Sequence, residues 1–314
     1  MSTQAVRQPL YVVPKRSLYV RTRDFLEQER VLGYLLIIPA VVLLAVLVAY
    51  PFLWGVYLSL QDKVVGRPGS YAGLQNFGAL LGEGIFLQTL KNSLIYTVTA
   101  VGAKVVLGTW LALIIHRGIR RGRHFVRGAI LLPFIVPTAL STLAWWWMFE
   151  SLYSVINWTI IHLGLATEGP NWLGDPFYAK ISVIIVNLWR GLPFFAITIL
   201  AGLVSIPLEL YDAAKVDGAG PINTFRHVTL PLLKPVLAIV ILFSTIFTLA
   251  DFNIVFLLTR GGPVNSTHVF ATLANQIGLV AGKIGQGAAI TLFLFPILVV
   301  VVVLQLYFIR KEEY

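Results

Sequence analysis

The 314-residue sequence contains no cysteine, which removes disulfides, zinc thiolate sites, iron–sulfur ligation and thiol nucleophiles together and leaves the redox compartment unread. Charge is scarce as well. Only 12% of positions are Asp, Glu, Lys or Arg, about half the density that covers an ordinary soluble domain with a solvated surface. Phosphate-loop spacing is missing. The nearest segment, Gly278 to Ile284 (GLVAGKI), is mis-spaced and has no hydroxyl residue after Lys283, so the chain is expected to hold no ATP of its own. The five histidines, His116, His124, His162, His227 and His268, lack ligand spacing, and neither HExxH nor GxSxG occurs. These absences argue against a metal site and against an enzyme.

What the sequence has in excess is apolar residues, 57% of the chain, gathered into stretches of spanning length. They run over about 32–57, 93–115, 128–149, 180–205, 234–257 and 287–309, and predict an all-α polytopic membrane protein with six transmembrane helices. Pro39 and Pro51 predict kinks in the first, tolerable where neighbouring groups re-satisfy the freed carbonyls. That stretch is too long, and too far behind a polar basic lead, for a cleaved signal peptide. Domain limits follow: an N-terminal segment 1–30, a six-helix transmembrane domain 31–310 and a tail 311–314. Within the first segment, residues 15–30 alternate charges with Leu18, Phe25 and Leu26, the pattern of an interfacial helix or of a solvated tail.

Charge placement orients the bundle. Of the 24 Lys and Arg, sixteen fall in the segments that share a side with the N-terminus, six in the opposite loops, and two, Lys104 and Arg190, within spans. The excess of cations in short loops marks the cytoplasmic side, so both termini are expected there, in a cell (inner) membrane. The net charge of +10 is thereby explained without a nucleic-acid partner. On the opposite side, the loop from Glu150 to Tyr178 carries Trp158, Trp172, Glu168 and Asp175, suited either to an external partner or to an aromatic belt.

The most informative segment joins the fourth and fifth spans on the cytoplasmic side, from Pro207 to Pro231, within a loop 207–235. Pro207 suits a first helical turn, and Leu208, Tyr211 and Ala214 share one face. Gly218 and Gly220 permit a turn, and Pro221 opens a second helix that Pro231 and Pro235 are expected to interrupt. An ordered elbow of two helices with an apolar ridge suits the groove of another protein, although a plain surface helix has the same pattern.

The run DAAKVDGA, comprising Asp212, Ala213, Ala214, Asp217, Gly218 and Ala219 around Lys215 and Val216, is followed by Phe225 and by Leu230 and Pro231. It resembles the EAA loop of permease subunits of binding-protein-dependent ABC importers, with Asp212 where that family usually has Glu. LLTRGGP (Leu257 to Pro263), LPFIVP (Leu132 to Pro137) and NWLGDP (Asn171 to Pro176) are similar to the carbohydrate-uptake branch, and to its first, maltose-binding type of permease. The likeness runs from about residue 31 to 310, without the additional N-terminal helices and large external domain of the maltose-type relative. The resemblance implies a type I importer fold, and a coupling helix in this loop seated in a cleft of an ATPase. It also implies a second, unlike permease subunit, two copies of a cytoplasmic ATPase subunit that bind the ATP and magnesium, an extracytoplasmic sugar-binding protein and surrounding membrane lipid. No cofactor is implied in this chain.

Carried over by motif, the sugar-lining positions implied by the resemblance are Phe134, Thr138, Asn187, Arg190, Gly191, Ser244, Phe247 and Thr248. Hydroxyl and amide groups suit sugar hydroxyls and the two phenyl rings suit an apolar ring face, yet the same residue types serve ordinary helix packing. Arg190, costly within a span, reads either as paired with Asp251 or a backbone carbonyl, which is preferred, or as a contact to an acidic group on the substrate. Lys104 in the second span has the same cost, met by an interhelical partner or a watery path. The expected function is translocation of a carbohydrate into the cytoplasm by alternating access. The alternatives are a glycerol-phosphate or other anionic polyol permease and, in another class, an ion-driven secondary carrier or a membrane enzyme. The last two lack an inverted repeat or acidic relay and a catalytic set, respectively.

Overall fold

The computed structural model of the chain describes residues 28–117 and 123–311. The expected interfacial segment 15–30 lies outside these residues except for its last three. The chain divides into two compact units, Met1–Trp54 and Gly55–Tyr314. The described part of the first belongs to helix α1, Glu29–Ser59, whose side chains up to Trp54 are nearly all exposed, as suits a helix surrounded by lipid. At Ala45–Ala49 α1 widens into a π turn, so Tyr50 N–H reaches the Ala45 carbonyl just before Pro51, which has no N–H to give.

The second unit is built from helices α2 (Gln75–Gly82), α3 (Gly84–Arg117), α4 (Arg123–Ile135), α5 (Thr138–Phe149), α6 (Val155–His162) and α7 (Pro176–Ser205). They are followed by α8 (Leu208–Val216), α9 (Pro221–Leu249), α10 (Asn253–Leu258), α11 (Phe270–Val280) and α12 (Ile284–Lys311). The only strands among the described residues are the two-residue pair Gln61–Asp62 and Ser70–Tyr71, antiparallel with Gln61 opposite Tyr71. Five helices are long and apolar enough to cross a membrane. The sixth crossing differs from its expectation. Instead of one helix over 128–149, α4 and α5 form a pair bent by 88°. The bend falls at Val136-Pro137, where the residue before a proline is driven out of the helical region and Pro137 itself is extended (φ −52°, ψ 131°).

The fifth span also departs from its expected limits. It stops at Leu249, and Ala250–Phe252 break the helix before α10 starts. Asp251 Oδ1 accepts a hydrogen bond from Ile254 N (3.2 Å), so its carboxylate supplies the partner that a continuing helix would have supplied. Conversely, Pro231 and Pro235 do not interrupt α9. A π turn at Phe225–Thr229, closed by Leu230 N–H on the Phe225 carbonyl, brings the helix up to Pro231, which sits in the first turn of the α-helical stretch that follows.

Helix α7 is the central post. Asp175 caps it, its Oδ1 accepting from Phe177 N (2.8 Å) and Tyr178 N (3.1 Å), with Pro176 at the first helical position. Toward its C-terminal end α7 packs with α3 and α9 through Val101, Ala112, Phe195, Ile199, Leu203 and Leu233. Toward its N-terminal end it packs with α5 and α10 through Phe149, Val183, Val186, Val255 and Leu258. Trp172, expected in an external aromatic region, is buried here, and its indole N–H donates to Asn157 Oδ1 (2.7 Å) while Asn157 Nδ2 donates to the Pro170 carbonyl (3.2 Å). Trp158 stays exposed and stacks on His162. Replacing Asn157 by Ala strands the buried indole N–H and is expected to cost about 1–3 kcal/mol. A lowered thermal unfolding midpoint of the purified protein in detergent checks this; an unchanged midpoint refutes it.

Candidate functional site

The helix breaks, α3 and the middle of α7 enclose a cavity of ≈ 350 Å³. All eight residues carried over as sugar-lining border it: Phe134 and Thr138 flank the α4–α5 bend, Asn187, Arg190 and Gly191 come from α7, and Ser244, Phe247 and Thr248 from α9. Three stretches separated by some fifty residues each are thus brought to one space. Further lining residues carry no sequence signal for the site: Phe194, Phe252 and Asn253. Lys104 and Asp251, noted in the sequence only for their charge, also reach it.

Two hydrogen-bonded clusters furnish the cavity. On one side Lys104, buried on α3, donates from Nζ to Ser244 Oγ (3.0 Å) and Thr248 Oγ1 (3.2 Å), one helical turn apart on α9. Its stem runs along Gly191, where an added Cβ would come within 2.8 Å of Lys104 Cδ, so a glycine there leaves room for the lysine. On the other side Asp251 Oδ2 accepts from Tyr96 Oη (2.7 Å) and from Asn187 Nδ2 (3.2 Å). Charges in such surroundings are costly unless their hydrogen bonds are made, and both clusters make them.

Arg190 corrects an expectation. Among the described residues it forms no ion pair within 4 Å, with Asp251 or otherwise, and its Nε is buried without a hydrogen-bond partner. Asn187 Oδ1 is likewise buried and unpartnered. Both atoms belong to residues that border the cavity but are themselves buried. Aromatic surface completes it: Phe134 stacks on Phe194 (ring centroids 6.3 Å apart, 16° between planes), and Phe247 stacks on Phe243 (6.3 Å, 21°). Hydroxyl, amide and guanidinium groups among flat apolar rings can hydrogen-bond a polyol and cover its ring face.

The second candidate site is the elbow between α8 and α9. Ala214 is buried and Tyr211 half-buried, while Asp212, Ala213, Asp217 and Gly218 are exposed. Ala219, Phe225 and Leu230 are half-buried and Pro231 is exposed. Tyr211 turns inward, its hydroxyl accepting from Thr229 Oγ1 (3.3 Å) and so tying α8 to α9. Gly218 turns the chain with a left-handed φ of 74°, after which Ala219 N–H bonds the Ala214 carbonyl (2.9 Å) in a helix-ending pattern. Lys215 and Asp212 pair at 2.8 Å, but both are largely in solvent, where such a pair contributes little. Of the face expected to form an exposed ridge, Tyr211 and Ala214 are therefore turned inward and only Leu208 is exposed, while Val216 and Ile222 add exposed apolar surface beside it. The segment Leu257 to Pro263 ends α10 and enters a tight turn, which α3 holds through Asn92 Nδ2 on the Asn265 carbonyl (3.0 Å).

Spanning helices, two of them broken around a polar cavity, with a helix–turn–helix elbow between two spans, define a membrane permease. The chain belongs to the family described as binding-protein-dependent transport system inner membrane component, which matches residues 104–314. It is similar to the trehalose/maltose transport system permease protein MalF of Thermococcus litoralis, 35% identical over 270 residues, or 85% of this chain and 90% of that one. It is also similar to the sulfoquinovosyl glycerol transport system permease protein SmoG of Agrobacterium fabrum, 33% identical over 287 residues, 91% of this chain and 92% of that one. Among solved structures, a bacterial ABC transporter involved in the import of the acidic polysaccharide alginate has a chain with the same fold, with a TM-score of 0.78 at 22% identity over 93% of this chain and 99% of that one.

The buried hydrogen bond from Tyr96 to the Asp251 carboxylate leads to a stability prediction. Tyr96→Phe removes one donor to a charged acceptor and is expected to destabilise the protein by about 1.5–3 kcal/mol. Chemical denaturation followed by tryptophan fluorescence measures it, and a change below about 0.5 kcal/mol would show the bond to be idle.

Proposed function

We propose that this chain is a translocating subunit of an ABC importer for a carbohydrate, that the ≈ 350 Å³ cavity holds the sugar during passage, and that the cycle is one of alternating access. The observation that carries the reading is the convergence of Phe134, Thr138, Asn187, Arg190, Gly191, Ser244, Phe247 and Thr248 on one cavity. Similarity to permeases named for trehalose/maltose and sulfoquinovosyl glycerol transport supports the same substrate class. In this reading both termini are cytoplasmic, with segments 1–30 and 311–314 outside the permeating domain, as the cation bias favours. The loop 207–235 docks its ridge in a partner ATPase, two copies of which bind ATP and magnesium. A second, unlike permease completes the pathway and an extracytoplasmic binding protein delivers the sugar.

A specific observation favours a narrower reading of the substrate. The cavity brings together two cations, Lys104 and Arg190, against one carboxylate, Asp251, and the Arg190 Nε is unpartnered. An anionic sugar derivative, or a glycerol-phosphate, would balance that excess of positive charge.

The test is reconstitution with the partner subunits in liposomes and measurement of ATP hydrolysis with binding protein plus trehalose, maltose or sulfoquinovosyl glycerol. Stimulation by at least one sugar is expected; stimulation by none removes the carbohydrate reading. Preference for sulfoquinovosyl glycerol, lost in Arg190→Leu, supports the anionic class, whereas a neutral sugar transported equally by both forms eliminates it. Gly218→Val forces a β-branched side chain into a left-handed conformation and is expected to return stimulated hydrolysis to near the basal rate. Full stimulation in that variant would detach the loop from coupling.

A further inference from the structure

The hydroxyls of Ser244 and Thr248 differ from other helical hydroxyls in this chain in where they bond. Serine and threonine in a helix ordinarily turn the proton back to a carbonyl about one turn earlier, as Thr245 does to Ile241 O (2.7 Å) and Thr142 to Thr138 O (2.7 Å). Ser244 and Thr248 make no such bond among the described residues; each instead meets Lys104 Nζ. An ammonium has only donors, so in both contacts the hydroxyl oxygen is the acceptor. A hydroxyl that accepts from a lysine keeps its own proton for another partner, and both side chains border the cavity.

Resting on the reading of this cavity as the sugar site, we infer that Lys104 is a positioning residue that sets the hydrogen-bond polarity of the site. It holds Ser244 and Thr248 off their own helix backbone and presents two O–H donors to the substrate. Gly191 is part of the arrangement, because a side chain there would displace the lysine stem. The opposite wall carries Asn187, whose Oδ1 is a buried acceptor without a hydrogen-bond partner among the described residues. A sugar hydroxyl that accepts from α9 can donate toward α7, which gives the site a direction and lets it discriminate between orientations of neighbouring hydroxyls. Without Lys104 the two hydroxyls fall back onto carbonyls of α9, as Thr245 does, and the donor wall is lost.

The test uses the complex with its partner subunits in nanodiscs and equilibrium binding of radiolabelled trehalose and maltose without binding protein. For a sugar bound by the parent complex, Lys104→Met and Ser244→Ala/Thr248→Val are each expected to weaken binding about tenfold, the loss of one to two hydrogen bonds. Lys104→Met added to Ser244→Ala/Thr248→Val is expected to weaken it by less than about twofold more, because the lysine acts through those hydroxyls. A merely structural lysine would leave affinity unchanged in correctly assembled complex, or give losses that multiply; either result overturns the inference and leaves the sugar site standing. If Lys104→Met does not assemble, Lys104→Leu, which likewise offers the two hydroxyls no N–H donor, replaces it in the same comparison. If neither sugar binds the parent complex, sulfoquinovosyl glycerol takes their place in the same comparison, and absence of binding of all three would overturn the sugar reading and this inference together.

Discussion

In a bilayer the backbone cannot leave an N–H or C=O facing hydrocarbon, so a helix in lipid stays whole unless something else answers its broken bonds. The cavity of this permease depends on meeting that condition twice. At Val136-Pro137 the chain leaves the helix because proline demands it, and α5 restarts with Ser141 N–H on the Pro137 carbonyl (3.1 Å) and the Ser141 and Thr142 hydroxyls on the Thr138 carbonyl. At Ala250–Phe252 the Asp251 carboxylate takes the Ile254 N–H. Both breaks border the cavity, through Phe134 and Thr138 at the first and Ala250, Asp251 and Phe252 at the second.

The charges follow from the same constraint. Lys104 and Asp251 would each be expensive alone at this depth, and each is held by neutral donors or acceptors, hydroxyls for the lysine and a phenol and an amide for the aspartate. Spreading the hydrogen bonds over neutral groups keeps the two charges apart and the cavity open between them. Arg190 Nε is buried without a hydrogen-bond partner among the described residues.

The α8–α9 elbow solves a mechanical problem with few parts. Tyr211 and Ala214 anchor α8 inward, the Tyr211–Thr229 contact ties it to the base of α9, and Gly218 allows the reversal between them. From that base α9 runs through its π turn to Ser244 and Thr248 at the cavity, one helix linking the elbow to the site.

Much of this was legible in the sequence because it depends on local composition and short motifs. Apolar length gives the spans; Asp175-Pro176 marks the start of α7; the alanines and glycines of Asp212 to Gly220 mark the elbow. Motif resemblance carried the eight lining positions, since spacing within a family preserves which helix face looks inward. The sequence alone did not determine how the helices break or what the charges bond. A stretch such as 128–149 is apolar throughout, and only the bend at Pro137 and its neighbours decides that it serves as two helices. Lys104 and Asp251 carry no local sign of their interhelical partners, which stand 64 to 155 residues away along the chain and meet only when α3, α7 and α9 pack. Tertiary structure alone decided these because hydrogen bonds between helices depend on rotation and depth, quantities that neither hydropathy nor spacing records.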